Sequence, residues 1–404
     1  MNNKKIVLAY SGGLDTSFCV KYLSEELNYE VHALTVDTGG FSATELQQME
    51  ERAFQLGAAS YKAVNVTEKF YQDCLRYLVY GNVLRYQTYP LSVSAERTFQ
   101  ALEVAQYASQ IGAEAIAHGS TGAGNDQVRF DLVFHILGNQ LDIITPIRDL
   151  QLSRQEEIDY LAKHGMIWPD KKGKYSINQG VWGTSVGGQE TLTSHQCLPE
   201  EAWPKQVTQQ ETQSIDLHFE AGEFIGFDDQ IFSSKVEAIQ ALEAIACNYG
   251  IGRDTHVGDT IIGIKGRVGF AAAAPLLILK AHHLLEKHTL GKWQLYWKEQ
   301  LSNWYGMMLH EGQFLDPVMR DIEVFLANSQ DRVSGKVDVQ LHPYRFVLAG
   351  ITSPFDMLGA GFGQYGEMNE GWSGKDVRGF TKVLSLAGQI HQAAGQNDIK
   401  TPVL

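Results

Sequence analysis

Two stretches of this sequence carry residue types suited to phosphate and carboxylate chemistry. The first is Ala9-Tyr10-Ser11-Gly12-Gly13-Leu14-Asp15-Thr16-Ser17. Its paired glycines let the backbone turn sharply and approach a ligand closely. The hydroxyls of Ser11, Thr16 and Ser17, with free N–H groups of a helix start, make an anion cradle. No Gly-Lys-Ser/Thr is present, so this is not a Walker loop, and without GxGxxG spacing it gives hydride transfer no support. The second stretch is Ala117-His118-Gly119-Ser120-Thr121-Gly122-Ala123-Gly124-Asn125-Asp126-Gln127-Val128-Arg129-Phe130. Here three glycines and then Asn-Asp at a helix start place small polar groups and amides beyond a strand end, where open α/β sheets bind ligands. Taken alone, Asn125 and Asp126 could instead merely cap the following helix, the less favoured of the two readings.

A strand must deliver the first loop and a helix must receive it. Residues 5–10 (KIVLAY) read as that strand, and 15–27, with Phe18, Tyr22, Leu23 and Leu27 on one face, as that helix. Further strands are expected at 31–36, 61–66, 114–118 and 142–145, and helices at 44–56, 97–111 and 153–163, the last stopped by Gly165. This alternation predicts an α/β fold with a mainly parallel sheet. Residues 169–188 read as an irregular bridge. Beyond it, 215–219, 260–264 and 336–341 read as strands of a different sheet, among helices at 275–288 and 293–308 and a last helix at 375–394. The expected organisation is a nucleotide-binding domain at 1–170, an α+β domain at 171–374 and a C-terminal helical tail at 375–404.

Composition narrows the partners. The 404 residues hold 33 Lys+Arg against 47 Asp+Glu, a formal net charge of −14. That leaves no basic surplus to track a nucleic acid, and Lys171-Lys172-Gly173-Lys174 reads as a solvated loop. The four cysteines form no CxxC pair, which speaks against a disulfide framework or thiolate zinc site and for a reducing cytoplasm. The longest apolar run, 270–279, is too short to span a bilayer. His282, His283 and His288 lack a ligand array and read as packing or surface residues. Trp293, Tyr296, Trp297, Trp304 and Tyr305, near helical spacing, read as a core or a subunit interface.

The first loop resembles the SGGxDS pyrophosphate loop of the ATP pyrophosphatases, which cleave ATP between its α- and β-phosphates. Together with residues 118–130 it matches the paired motifs of the argininosuccinate synthase family. The resemblance continues through His164-Gly165, Tyr175-Ser176-Ile177, Ile251-Gly252-Arg253-Asp254, Gly263-Ile264-Lys265 with Arg267, and residues 329–337. It implies a two-domain, homotetrameric ligase with a C-terminal oligomerising tail. In such a ligase the ureido oxygen of citrulline attacks the α-phosphorus of ATP, and aspartate then displaces AMP to give argininosuccinate. Mg²⁺ would accompany ATP, with no redox cofactor. Carried over by position, Ala9, Tyr10, Ser11, Gly12, Gly13, Leu14, Asp15, Thr16, Ser17, Val36 and Gly119 would hold ATP. Thr121, Asn125 and Asp126 would hold aspartate. Tyr89, Ser94, Asn125, Arg129, Ser176 and Ser185, with the Gly258 and Phe270 positions, would meet citrulline, and Asp15 and Arg129 would be catalytic.

The departures from the family pattern fall mostly in the acceptor pocket. A family Thr is Val93, a Glu that contacts citrulline is Gly258, and a Tyr that contacts it is Phe270. Asp259 is a candidate replacement for the missing carboxylate. Elsewhere a small Ala of the family is Val36, and a Gln is Gly40. Loss of the carboxylate fits an acceptor whose α-amine is no longer cationic, such as N-succinyl- or N-acetylcitrulline, since a buried unpaired charge is costly. Gly258 and Phe270 would then make room for an acyl group and cover it. Rival readings are another ATP pyrophosphatase, such as a tRNA-thiolating enzyme, and a non-catalytic nucleotide-binding regulator.

Overall fold

The computed structural model describes residues 4–138, 140–168, 174–363, 365–367 and 370–398. Residues 1–355 form one compact unit and 356–404 another. Strands β1 (Lys5–Ala9), β2 (Glu30–Asp37), β3 (Ser60–Asn65), β4 (Ala115–His118) and β5 (Asp142–Ile144) build a parallel sheet in the order β3-β2-β1-β4-β5. Ile6, Val7 and Leu8 of β1 are wholly buried because helices cover both faces. Helices Leu14–Glu25, Ala43–Gln55 and Arg154–Lys163 contribute Phe18, Ala53 and Leu161 to the core on one face. Helices Ser92–Gln110 and Asp126–Leu137 contribute Val104 and Phe134 on the other. Strand order reverses between β1 and β4, and both candidate loops leave the carboxyl ends of these two strands. That crevice is where doubly wound sheets bind ligands.

A second sheet is antiparallel, from β8 (Gln213–Glu220), β9 (Glu223–Phe227), β10 (Gln230–Ile231), β13 (Gly335–His342) and β14 (Arg345–Thr352). Helices Lys235–Ala246 and Ala273–Thr289 share its core. A third sheet runs β11-β12-β7-β6, with β6 (Ser176–Gly180), β7 (Gly183–Gly187), β11 (Arg253–Asp259) and β12 (Lys265–Ala271).

Several expectations change. Residues 169–173, with Lys171 and Lys172, lie outside the described residues, but 176–187 is no irregular bridge: it is the β6–β7 hairpin. Pairing of β7 with β12 makes strands of its small polar residues. Residues 260–264 form no strand. They are the turn joining β11 to β12, closed by Thr260 N–H on Ile264 O (2.7 Å), with Gly263 at φ +87°. The helix expected from residue 97 begins at Ser92, because Leu91 takes a left-handed conformation and the Tyr89 hydroxyl accepts from Val93 N–H (3.2 Å). The tail is two helices, Gly374–Leu384 and Leu386–Asp398, separated at Ser385. Hydroxyls of Thr381 and Ser385 turn back onto the carbonyls of Val377 and Lys382 there (both 2.9 Å), a contact that bends helices.

His282 is fully buried, between Asn82 Oδ1 (2.6 Å) and Gln330 Oε1 (2.9 Å), beside the Glu286–Lys298 ion pair (2.8 Å). The aromatic series divides. Tyr305 is buried and donates to Glu323 (2.9 Å), whereas Trp293, Tyr296, Trp297 and Trp304 are all more than half exposed. Among the described residues no helix is long and apolar enough to cross a membrane.

Candidate active site

The first loop is built for an anion. Gly12 holds φ +70°, and a Cβ there would stand 2.7 Å from Met49 Cγ, so only glycine fits. Gly13 caps the helix without a side-chain bond, and the first helical bond runs from Ser17 N–H to Gly13 O (3.0 Å). The N–H groups ahead of it point out of the helix start. Ser11 and Thr16 hydroxyls lie 3.2 Å apart across this opening, and Ser17 Oγ is buried with no partner. Arg52 Nη1 donates to Gly12 O (2.5 Å) and steadies the turn. Gly119 lets the two loops meet: its Cβ would stand 3.1 Å from Thr16 Cγ2. Tyr10 and Leu14 are buried beneath the loop, and Val36 sits in the core with Val7 and Leu34 rather than on an open surface.

Beside the loop, buried Glu157 meets Asp15. Burial, with the Asp15 carboxylate adding, pushes the Glu157 carboxyl up to about 8, so it keeps its proton at neutral pH.

The second loop centres on Asp126. Its Oδ2 accepts from Arg97 Nε (3.0 Å) and its Oδ1 from Arg129 Nη1 (2.8 Å). Burial works to raise this carboxyl, but the two guanidiniums hold it below its ordinary range. Arg129 is buried and also donates from Nε (3.0 Å) and Nη2 (2.8 Å) to His310 O. Asn125 Oδ1 accepts from Ile261 N–H of the β11–β12 turn (2.8 Å), which leaves its amide NH₂ as a donor. His118, between Ser120 N–H (3.1 Å) and Asp131 (3.0 Å), links the loop to Arg148, which reaches Asp131 at 2.6 Å. Thr121 is exposed at the loop crest.

The third sheet supplies the remaining wall. Ser185 pairs with both Asn178 and Phe270, so the three share one face. Alternation along β11 puts His256 and Gly258 on that face and Asp259 on the other. Asp259 is instead ion-paired to Lys265 (2.7 Å), so it does not replace the missing carboxylate. The space at Gly258 is not open either: a Cβ there would stand 2.7 Å from His256 Nε2 and 3.2 Å from the Tyr86 ring. Phe270 is fully buried against Tyr89 (ring centres 5.3 Å apart), so it covers the pocket from beneath. Tyr89, Gly258, Phe270, Ser185 and Arg129 thus come together. Ser94 is buried and donates to Leu91 O (3.4 Å), and Ser176 lies exposed at the outer end of β6.

Sequence reasoning missed Arg85, Tyr86, His256 and His310. Burial, then Arg85, lowers His256 to about 4, and burial, then Arg129, lowers His310 to about 2, so both are neutral near pH 7. No contiguous motif marks them, because they converge from three distant segments.

Glu96 was missed too. It is fully buried, its Oε1 has no partner, and it fills the space that a Cβ on Gly180 would need (1.7 Å). Burial pushes its carboxyl up to about 8 from an ordinary 4.5. A raised carboxyl contributes stability below the unfolded value and loses it as pH climbs to the folded one. Glu96→Gln is therefore expected to raise the melting temperature by a few degrees at pH 8.5 relative to wild type, with the gain shrinking towards pH 5. Thermal melts at the two pH values check this; an equal shift at both would assign the effect to packing.

The sheet's reversal point and its two glycine-rich loops define an α/β protein of nucleotide-binding type, with the third-sheet wall alongside. Residues 5–167 match the family model described as Arginosuccinate synthase N-terminal HUP domain, and residues 175–391 match Arginosuccinate synthase C-terminal domain. The chain belongs to the argininosuccinate synthase family. It is 35% identical over 389 residues to the argininosuccinate synthase of Methanocaldococcus jannaschii, covering 96% of this chain and 97% of that one. It is 33% identical over 401 residues to that of Dictyoglomus thermophilum (98% and 100% covered) and 34% over 403 to that of Xanthomonas campestris pv. campestris (97% and 99%).

Proposed function

We propose that this protein is an ATP-dependent ligase of arginine biosynthesis. It joins a citrulline-type acceptor to aspartate through an acceptor adenylate and releases AMP and pyrophosphate. The observation that carries the reading is the meeting of the Gly12–Gly13 loop with Gly119 at the β1/β4 reversal. N–H groups of the loop and helix start take up the charge that develops on the departing pyrophosphate. Asn125, Asp126 and Arg129 hold aspartate and the acceptor in line, and Asp126 faces the incoming amine. Mg²⁺ fits as an ion carried on the ATP phosphates, with Asp15 the loop's carboxylate. Among the described residues no three His, Cys, Asp or Glu side chains cluster into a protein cage, and Mg²⁺ commonly binds through one or two carboxylates plus phosphates. Two domains meeting near residue 170, a cytoplasmic location and a homotetramer complete the proposal. The last is supported by the exposed apolar stripe Val377, Phe380 and Leu384 on the tail's first helix.

For the acceptor, N-acylated citrulline is favoured by one observation: imidazole, not carboxylate, stands at Gly258, and Asp259 points away. An α-ammonium placed against that imidazole would lack the carboxylate partner that its burial calls for. Pyrophosphate release is to be followed with ATP, aspartate and each acceptor. Turnover is expected with N-acylcitrullines and at least tenfold less with citrulline. Comparable use of free citrulline would discard the acylated acceptor, and no release or ATP–pyrophosphate exchange with any acceptor would leave a regulator.

A further inference from the structure

The acceptor wall carries a cation that the fold does not neutralise. Arg85 and Tyr89 close a tight loop by mutual backbone bonds, Arg85 N–H to Tyr89 O (2.8 Å) and Tyr89 N–H to Arg85 O (3.1 Å). Inside it Tyr86 and Gln87 hold φ of +51° and +64°, conformations that side-chain-bearing L residues seldom adopt. Such strain persists only where surrounding contacts over-determine it. Here the contacts are a stack. The Arg85 guanidinium lies 4.9 Å from the Tyr86 ring centre, Tyr86 lies on His256 (5.8 Å, 15°), and His256 lies on Tyr89 (5.0 Å, 26°).

Arg85 Nε is buried without a hydrogen-bond partner, and among the described residues no carboxylate forms an ion pair with this guanidinium. Asp259 feels its charge but is held by Lys265. The other guanidinium here, Arg129, bonds Asp126 and His310 O and keeps an Nη1 N–H for the α-carboxylate that every acceptor carries. A cation held over a substrate pocket with a donor unmet calls for an anion from the ligand. Free citrulline and N-acetylcitrulline offer one carboxylate each; citrulline acylated by a dicarboxylic acid offers two and no ammonium.

We infer that Arg85 receives a second carboxylate, borne on the acyl group of the acceptor, so that the preferred substrate is citrulline N-acylated by a dicarboxylic acid. This rests on the N-acylated reading above and specifies the acyl class. The experiment measures pyrophosphate release with N-succinylcitrulline, N-acetylcitrulline and citrulline, for wild type, Arg85→Met and Arg85→Lys. Wild type is expected to favour N-succinylcitrulline over N-acetylcitrulline by about 30-fold in kcat/KM, the worth of one charge-assisted pair. Arg85→Met should bring that ratio close to one by raising KM for the succinyl form alone, and Arg85→Lys should keep part of it. Circular dichroism and thermal melting confirm that the variants fold.

Equal use of the two acyl forms by wild type, or an equal loss on both in Arg85→Met, overturns the role of Arg85 and leaves the acylated acceptor standing. Preference for free citrulline overturns the acylated acceptor itself.

Discussion

Asp126→Asn is expected to lower kcat/KM for aspartate by at least about 10³-fold while the protein stays folded. Asp126 is bonded by both Arg97 and Arg129, and its side chain remains 38% exposed. An asparagine keeps the size but offers one acceptor oxygen where two guanidiniums now bond to separate oxygens. Either Arg97 or Arg129 must then let go, and a displacement near 1 Å at reacting groups costs about 10²-fold. In the role proposed for Asp126, loss of the charge that faces the aspartate amine would add to that. The folding cost is smaller, about 1–3 kcal/mol, because solvent screens the open side of the pair. Steady-state pyrophosphate release, read against melting temperature, separates the two effects. A rate loss within tenfold would show that Asp126 serves only to tie Arg97 to Arg129.

Helix capping was the alternative open at the level of sequence, and the geometry decides it. Asn125 is the N-cap residue of the helix yet makes no side-chain cap, and Asp126 spends both oxygens on arginines. The parallel sheet was legible because each strand is a short apolar run set between helical patterns, and the anion loop because its parts are contiguous. The β6–β7 hairpin was not legible. Ser-Ile-Asn-Gln-Gly and Gly-Thr-Ser-Val-Gly have little strand character and become strands by pairing with each other and, for the second, with β12, some 80 residues on. Residues 260–264 misled in the opposite sense: their apolar alternation imitates a strand, but Ile262 and Ile264 are solvent-exposed on a turn. The acceptor wall was least legible, since a stacked Tyr86–His256–Tyr89 group has no linear signature.

The same contrast explains why the departures from the family motifs were visible while their consequence was not. Gly258 reads as a lost carboxylate and vacant space. In the structure the vacancy is filled by His256, two residues earlier on the same strand face, and by Tyr86 from a strained loop. Replacement of a carboxylate by a neutral ring beside Arg85 changes the charge of the wall rather than its volume. On the proposed acceptor reading, substrate choice in this pocket would be electrostatic first and steric second.

Gly12→Ala should cost at least about 10²-fold in kcat/KM for ATP, and two causes contribute. An alanine at φ +70° sits in the left-handed region, a penalty of roughly 1–2 kcal/mol, or about tenfold. Its Cβ would also stand 2.7 Å from Met49 Cγ, an atom next to the backbone end of that side chain and so not free to swing aside. The helix that carries Met49 also holds Arg52, whose Nη1 bonds Gly12 O, so pushing the helix away loosens the turn that aims the loop's N–H groups. The contact with Met49 thus accounts for about the other tenfold. Met49→Ala removes Cγ and Cε and leaves Met49 Cβ 3.6 Å from the new methyl, an ordinary distance. In a double-mutant cycle read as kcat/KM for ATP, Gly12→Ala in the Met49→Ala background is expected to cost only about tenfold, the backbone share alone. The same 10²-fold loss in both backgrounds would place the whole effect in the backbone of the loop.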